Sequence, residues 1–479
     1  MNKFVTIFTL IWVCGLSSAT VDAVARPSSN YADLNNQLPD LGDPVDSTLS
    51  KADEQKIGAE VFDKLRSQVQ FIDDPLLQRY LNDLGNRLMA SAPGTHFPPN
   101  FMLINSPTIN AFTVPGGYIA VYSGLFLFAD NESELAGVMA HEIAHATHRH
   151  IARMLAQQSG NSALVIAGFV AALLLGSVNP DMGAAAAATS IAGVTQNEIN
   201  FTRMHEREAD EFAIQTLQRV HIDPHGLIAF FEKLERQSGD NRAAQYAFLL
   251  THPLNNERIS AAEDRIAMIP SAQLGTKDSL SFQLARARLA GLTGDLKIKL
   301  ATSASSIYRQ AVYDQSHGNW QSAHDLLSKL YREHPGNLWF GLPLAQVLFA
   351  HGHTEEAQSL LNTLLALYPG NPMLLRQSVH WLIKTGDPAQ AYRAARKTME
   401  RDPNNPTIVL TTAEAASAAG DRLGGHELLG KYFLMKNNLV AAHQEFELAF
   451  SYSAGNPLAQ ERLDAALLKI EAQARPIKN

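Results

Sequence analysis

The 479-residue sequence predicts an α+β domain followed by an all-α array of stacked helix pairs. The first half alternates helix-period segments with short β-branched and aromatic runs around a Pro-Gly-Gly turn. The second half repeats glycine, alanine and proline at a fixed interval, which is typical of helical repeats. The hydrophobic content of 46% and the charged content of 18% are those of a folded chain rather than a disordered one.

The N-terminus has the pattern of a secretory signal. Lys3 supplies the positive start, and Phe4–Leu16 forms an apolar core that small residues follow. We expect export, with cleavage near Ala23 or Ala25. A retained membrane anchor is the alternative, but the apolar run is shorter than the roughly 20 residues that a spanning helix needs.

Cysteine content and net charge exclude several kinds of site. The only cysteine, Cys14, lies inside the signal, so we expect the mature chain to have neither disulfides nor cysteine metal ligands. The net charge is −8 and the sequence shows no matching basic face, so we expect no nucleic-acid partner.

The first folded domain is expected to begin near Lys51, after a proline-rich leader at 26–50. Leucines spaced three and four residues apart after Asp74-Pro75 predict a helix with one apolar face. Three short runs then predict the strands of a small sheet, namely Phe101–Ile104, Ala111–Val114 and Tyr118–Tyr122.

The segment His141–His145, which reads HEIAH, carries the main chemical signal. It lies in a predicted helix capped by Asn131, with Glu134 three residues on. Histidines at i and i+4 project from one helical face, so one metal ion can bind both. Zinc suits such ligands, and Glu142 is placed to take a proton from a water at the open position and pass it to the leaving amine. Two exposed polar histidines are the alternative for so short a motif.

A third ligand must come from elsewhere, because Ile151 stands where the extended motif has another histidine. Glu206 and Asp210 lie one turn apart on another predicted helix. If Glu206 binds the zinc, Asp210 can accept the free ring proton of a histidine ligand and fix its orientation. A solvated charged turn with intrahelical ion pairs is the alternative.

Between these two helices lies a long stretch that has no charged residue between Arg153 and Asp181. Its apolar runs, Ala163–Val178 and Ala184–Val194, predict two packed helices, the first of them somewhat short to span a bilayer. We expect a hairpin buried against the first domain. A surface that rests on a membrane or holds an unfolded apolar client is the alternative.

The C-terminal half repeats with a period of 34 residues. The step relates Gly318, Gly352, Gly386 and Gly420; Ala323, Ala357 and Ala391; and Pro335, Pro369 and Pro403. A glycine between two helices, an alanine where they cross and a proline after the second are the pattern of tetratricopeptide repeats, whose stacked pairs expose a concave binding groove. After Gly420 the spacing slips, which predicts a distorted last repeat and a capping helix through Ile470.

The motifs in this order resemble a known group. The Asn110-Ala111-Phe112 strand, the Pro115-Gly116-Gly117 turn, the HEIAH helix and the ExxAD helix are similar to the metallopeptidase family that includes the CAAX prenyl protease and the heat-shock membrane protease. The resemblance covers roughly residues 50 to 260. It implies a zincin-like (gluzincin) α+β fold, one Zn²⁺ per chain and Glu206 as the third ligand beside His141 and His145. The transmembrane helices of the wider family are missing.

With a signal sequence and C-terminal repeats, the chain looks like a periplasmic member of this family. That resemblance implies an envelope protein that degrades misassembled outer-membrane proteins and assists the assembly of productive ones. The repeats would bind these clients or the assembly machinery, and peripheral contact with the membrane stays open. The alternative is a chaperone or scaffold that acts through the repeats and has a closed zinc site.

Four further residues lie near the predicted site. His252-Pro253 matches a His-Pro of similar proteins, and His252 either occupies the open zinc position at rest or hydrogen-bonds the transition-state oxyanion; a plain surface loop is the alternative. Arg258 either binds substrate carbonyls or holds the loop by an ion pair. We interpret His148 and His150 as ordinary polar residues at the helix end, with His150 pointing away from the ligands.

These observations predict both domain boundaries and site roles. The boundaries are a signal at 1–25, a leader at 26–50, a zinc metallopeptidase domain at 51–269, a connecting helical segment at 270–302 and a tetratricopeptide-repeat domain at 303–479. The site has His141, His145 and Glu206 as metal ligands, Glu142, Asp210 and His252 as catalytic residues, and Arg258 as a substrate-binding residue. The strand beginning at Tyr118 is expected to offer an edge to which a peptide can add.

Overall fold

The computed structural model describes residues 44–92, 100–157, 196–238, 247–436 and 438–474. The predicted signal, most of the leader and the apolar segment 163–194 lie outside the described residues. Within the described ranges, none of the helices combines the length and the apolar character needed to span a bilayer.

Two helices open the described chain, and each begins at a capping residue. The backbone N–H of Asp53 donates to the Ser50 side chain at the start of α1 (Lys51–Gln68). In α2 (Pro75–Ala90), proline occupies the first turn and Asp74 is the cap. The buried residues of α2 follow a helical period, which confirms the predicted apolar face: Leu76, Leu77, Tyr80, Leu81, Leu84, Gly85 and Leu88.

A three-stranded sheet follows, made of β1 (Asn100–Ile104), β2 (Ala111–Val114) and β3 (Tyr118–Tyr122). The predicted strands are therefore confirmed. The strand order is β1-β3-β2, in which β3 pairs parallel to β1 and antiparallel to β2. The expectation that the strand beginning at Tyr118 offers a free edge is wrong, because β3 lies in the centre. Among the described strands, β1 and β2 are the edges.

The described helices between the sheet and the repeats position the site. They are α3 (Ser123–Phe128), α4 (Glu132–Thr147), α5 (His150–Gln157), α6 (Gln196–Arg219), α7 (His225–Ser238), α8 (Ala247–Thr251) and α9 (Asn256–Ala267). The central member, α4, packs against α6, α7 and β2 and is buried along almost all of its length. The larger core cluster of this region reaches from α2 to α10 (Leu280–Thr293), and a smaller one lies between α1 and the sheet.

The rest of the described chain forms five helix pairs. They are α11 (Ser303–Ser316) with α12 (Trp320–Glu333), α13 (Leu338–Ala350) with α14 (Thr354–Leu367), α15 (Pro372–Lys384) with α16 (Pro388–Met399), α17 (Pro406–Ala418) with α18 (Arg422–Met435), and α19 (Leu439–Ser451) with α20 (Pro457–Ala474). The repeating alanines, Ala323, Ala357 and Ala391, are fully buried where helices cross. The predicted helical array is confirmed, and the last helix runs to Ala474 rather than Ile470.

The helix α10 joins the two regions. It packs against α2 and α3 on one side and against α11 on the other. Its Arg288 forms a buried two-point ion pair with Asp74, with distances of 2.7 Å from Nε to Oδ1 and 2.6 Å from Nη2 to Oδ2. Arg288 also donates to the hydroxyl of Tyr308 on α11, at 3.1 Å. One guanidinium therefore ties the start of α2 to the first repeat helix.

Candidate metal centre and active site

The start of α4 sets the direction of the HEIAH segment. The backbone N–H of Glu134 donates to the Asn131 side chain at 3.1 Å, and the backbone N–H of Asp130 donates to the Glu134 carboxylate at 3.0 Å. The predicted cap is confirmed. From this fixed start, the helix brings His141 and His145, which share one face, into contact with Glu206 on α6.

Three side chains from α4 and α6 bring their donor atoms together. The Nε2 atoms of His141 and His145 lie 3.1 Å apart. The Glu206 carboxylate lies 3.4 Å from Nε2 of His141 and 3.5 Å from Nε2 of His145. Ligands at 2.0 to 2.1 Å from a tetrahedral ion are separated by roughly 3.4 Å. The spacing of these three donors therefore fits a zinc-sized ion.

Asp210 orients His141 from behind. Its Oδ1 lies 3.0 Å from Nδ1 of His141, on the side of the ring away from the donor cluster. Burial alone would lower the pKa of His141, but the Asp210 and Glu206 carboxylates raise it. The contact favours a proton on Nδ1 and leaves the lone pair of Nε2 directed at the cluster.

Arg258 is buried against the carboxylates of Glu206 and Asp210. Its side chain is 2% exposed and bonds Asp210 at two points, each at 2.8 Å. Its Nη1 lies 2.9 Å from Glu206 and donates to the Pro253 carbonyl at 2.8 Å. Every one of these contacts is internal, which favours the ion-pair alternative over substrate binding.

The predicted general base, Glu142, has a neighbour that sequence reasoning missed. The hydroxyl of Thr113 on β2 lies 2.9 Å from Oε2 of Glu142 and 2.8 Å from its backbone carbonyl oxygen. Burial would raise the pKa of Glu142, but His252 and the other histidines lower it to about 2. The carboxylate is therefore ionised and held against the sheet.

His252 completes the cluster from the loop after α8. Its Nδ1 lies 3.3 Å from Nε2 of His141 and 3.2 Å from Oε1 of Glu206, and its Nε2 lies 3.2 Å from Oε1 of Glu142. The residue is buried, so the plain surface loop is excluded. Within the described residues, His141, His145, Glu206 and His252 are the one group whose ligand atoms all lie within 4.8 Å of one another.

The charges of the cluster also fit a divalent cation. The buried carboxylates of Glu142, Glu206 and Asp210 face a single guanidinium, that of Arg258. The excess of negative charge is strong enough that Glu206 and Glu142 raise the pKa of His252 to about 10, although burial alone would lower it. Imidazole and carboxylate donors around such an excess are the ligands that zinc and similar ions take.

The prediction that His150 points away from the ligands is wrong. Its Nδ1 lies 2.8 Å from Nδ1 of His145, and its ring is buried. The turn between α4 and α5 explains the difference, because Arg149 adopts a φ of 54° and brings the ring back toward α4. Periodicity could not show this reversal, since it treats the two helices as one.

Comparisons with known proteins agree with this geometry. The model of peptidase family M48 matches residues 75–266, and a tetratricopeptide-repeat model matches residues 315–376. The beta-barrel assembly-enhancing protease of Escherichia coli K12 is 33% identical over 474 residues, covering 94% of each chain. Its counterpart in Yersinia pestis is 34% identical over 399 residues, covering 80% of this chain and 81% of that protein.

A more distant relative matches a smaller part of the chain. The metalloprotease LoiP of Escherichia coli K12 is 28% identical over 189 residues, which cover 39% of this chain and 68% of that protein. The match to family M48 contains the donor cluster, and the long matches to the enhancing proteases continue through the repeats. The chain is therefore a metalloendopeptidase that belongs to peptidase family M48, within the group of beta-barrel assembly-enhancing proteases.

Proposed function

We propose that the chain is a zinc-dependent endopeptidase of the bacterial periplasm. Its clients would be misfolded or stalled outer-membrane proteins, which it degrades, while it assists the assembly of others. The observation that carries the proposal is the convergence of His141, His145 and Glu206 beside the carboxylate of Glu142. The secretory pattern at the N-terminus supports the compartment, and the assembly role for which the relatives are named supports the clients.

The residues of the cluster have separate tasks in this proposal. A zinc ion held by His141, His145 and Glu206 would act as a Lewis acid on the scissile carbonyl and make water more acidic. Glu142 accepts the proton of the attacking water and passes it to the leaving amine. Thr113 contacts Oε2 of Glu142, while Oε1 lies 3.2 Å from Nε2 of His252, so Oε1 is the oxygen on the side of the cluster and the one that we assign to that transfer.

An extended polypeptide is the substrate that we assign to this site. Among the described strands, β2 is the sheet edge that packs beside α4, and Thr113 on it contacts Glu142. A peptide that adds to this edge runs past the general base with its backbone in register. The edge assigned to substrate is therefore β2.

The helix pairs supply a second surface for the same clients. Five stacked pairs expose far more area than a small-molecule site requires. We assign to them the binding of unfolded outer-membrane proteins or of the machinery that assembles them.

The test is cleavage of an unfolded outer-membrane barrel protein by the purified chain. Glu142→Gln is compared with the parent and with a chelated sample, and bound zinc is counted in each. We expect cleavage to disappear in Glu142→Gln and in the chelated sample, and we expect Glu142→Gln to keep its zinc. Undiminished cleavage by Glu142→Gln would show that another group is the base.

One observation favours a second candidate, a chaperone with a closed zinc site. His252 already lies within 3.3 Å of both His141 and Glu206, where it can act as a fourth ligand. The variant His252→Ala separates the two cases. If His252 closes the site, the variant cleaves faster than the parent; if it stabilises the oxyanion, the variant cleaves more slowly.

A further inference from the structure

A hydrogen-bonded chain extends from His145 away from the donor cluster. His145 directs Nε2 at His141 and Glu206, while its Nδ1 lies 2.8 Å from Nδ1 of His150. The other ring nitrogen of His150, Nε2, lies 3.1 Å from Oε2 of Glu208. The chain therefore reads His145, His150, Glu208, and its two links involve different atoms of the middle ring.

The chemistry of the end groups determines the direction of both hydrogen bonds. An ionised carboxylate can only accept hydrogen bonds, so Nε2 of His150 must carry the hydrogen of the bond that it donates to Glu208. A neutral imidazole then has a lone pair on Nδ1, which accepts from Nδ1–H of His145. His145 is left with the lone pair of Nε2 directed at the donor cluster.

We propose that His150 and Glu208 are positioning residues that hold His145 in its metal-binding orientation. The inference rests on the proposed zinc site and extends it. Asp210 holds His141 directly at 3.0 Å, whereas a carboxylate reaches His145 only through the ring of His150. The two histidine ligands would thus be oriented by carboxylates, His141 through a direct contact and His145 through one intervening ring.

The surroundings keep this chain in place. The ring of His150 stacks on His205 with centroids 4.1 Å apart, and its side chain is 4% exposed. Glu208 is also bonded by Nη1 of Arg153 at 3.2 Å and by Nδ1 of His148 at 3.0 Å. His148 shares the carboxylate but bonds its other oxygen, Oε1. This difference makes His148 a matched control.

The experiment measures the affinity of the full chain for Zn²⁺ by competition with a chromophoric chelator. We expect His150→Leu to bind zinc roughly 10- to 100-fold more weakly than the parent, the usual cost of losing such a partner. His150→Asn should recover most of the affinity, because its amide oxygen can replace Nδ1 as the acceptor. His148→Leu should bind zinc like the parent.

Circular dichroism of the metal-free proteins shows whether each variant is folded. If His150→Leu does not fold, Glu208→Ala takes its place, since this side chain is 33% exposed and its removal leaves His150 without a fixed tautomer. Parent affinity in the folded His150→Leu or Glu208→Ala overturns the proposal. So does an equal loss in His148→Leu, or no recovery in His150→Asn. A parent that binds no zinc overturns the proposed function as well.

Discussion

The peptidase region and the repeat array are built by different means. In the first, donor atoms from α4, α6 and the loop at His252 meet, although His141 and His252 are 111 residues apart. In the second, each helix packs chiefly on its neighbours, and the buried residues divide into separate clusters along the array. The site therefore depends on distant pairs and buried charge, whereas the repeats depend on local apolar contacts.

The largest expected contrast comes from the same arginine change in both regions. Arg258→Met removes the one guanidinium under Asp210 and Glu206 and should cost about 3 to 5 kcal/mol in the free energy of unfolding of the metal-free chain. Arg376→Met breaks an exposed pair with Glu414, 3.7 Å long, and should cost about 0 to 1 kcal/mol. Denaturant titration measures both, and equal losses would contradict the contrast.

A second change tests the junction between the regions. Asp74→Asn leaves the buried Arg288 without its charged partner and should cost about 3 kcal/mol. Asp83→Asn, in the exposed pair with Arg79, should cost less than about 1 kcal/mol. Limited proteolysis during thermal unfolding shows whether the peptidase region and the repeats melt separately. Separate melting in Asp74→Asn but not in the parent would show that this ion pair couples the two regions.

The same ion pair predicts an acid-sensitive stability. Burial would raise the pKa of Asp74, but Arg288 outweighs it and the net shift is downward from 3.8. The stabilisation is then complete above pH 3.8 and is lost as the pH falls below that value toward the folded-state pKa. Unfolding titrations over this acidic window should show a weaker pH dependence in Asp74→Asn than in the parent; identical slopes would exclude the pair as the cause.

Removing apolar contacts from one repeat should have a smaller effect on the site than on the array. Leu361→Ala opens a cavity at a fully buried position of α14 and should cost about 2 to 4 kcal/mol locally. Because each repeat contacts only its neighbours, the loss of stability should stay within the array. We therefore expect zinc affinity and the cleavage of a short peptide to be unchanged. Hydrogen exchange locates the loss, and weakened zinc binding would show that the regions are more tightly coupled.

The smallest effect concerns glycines, which the two regions use for different reasons. Gly386 has a φ of 91° and open space around it, so Gly386→Ala should cost about 1 kcal/mol through backbone strain alone. At Gly124 an added Cβ would lie 2.2 Å from the Pro107 carbonyl oxygen, so Gly124→Ala should cost about 1 to 3 kcal/mol through forced separation of the backbones. Thermal unfolding compares them, and a larger loss at Gly386 would contradict this order.

Features that depend on neighbours along the chain could be predicted from the sequence. The cap at Asn131, the apolar face of α2, the three strands and the helix pairs all follow from residues within one or two turns of each other. The two histidines of HEIAH belong to this group, because their common face is a property of one helix. The residue pattern left Glu206 as one candidate for the third ligand, and the family resemblance was needed to select it.

The tertiary structure alone decided the rest. The order β1-β3-β2 places the strand from Tyr118 in the centre, since pairing depends on which strands meet and not on their own composition. Thr113 reaches Glu142 across 29 residues, and no local pattern marks such a contact. His150 returns to His145 because one residue, Arg149, has a positive φ. Sequence by itself determined the elements and the types of residue that we propose as metal ligands. Their distant partners were decided by packing, which brings buried charges together only in the folded chain.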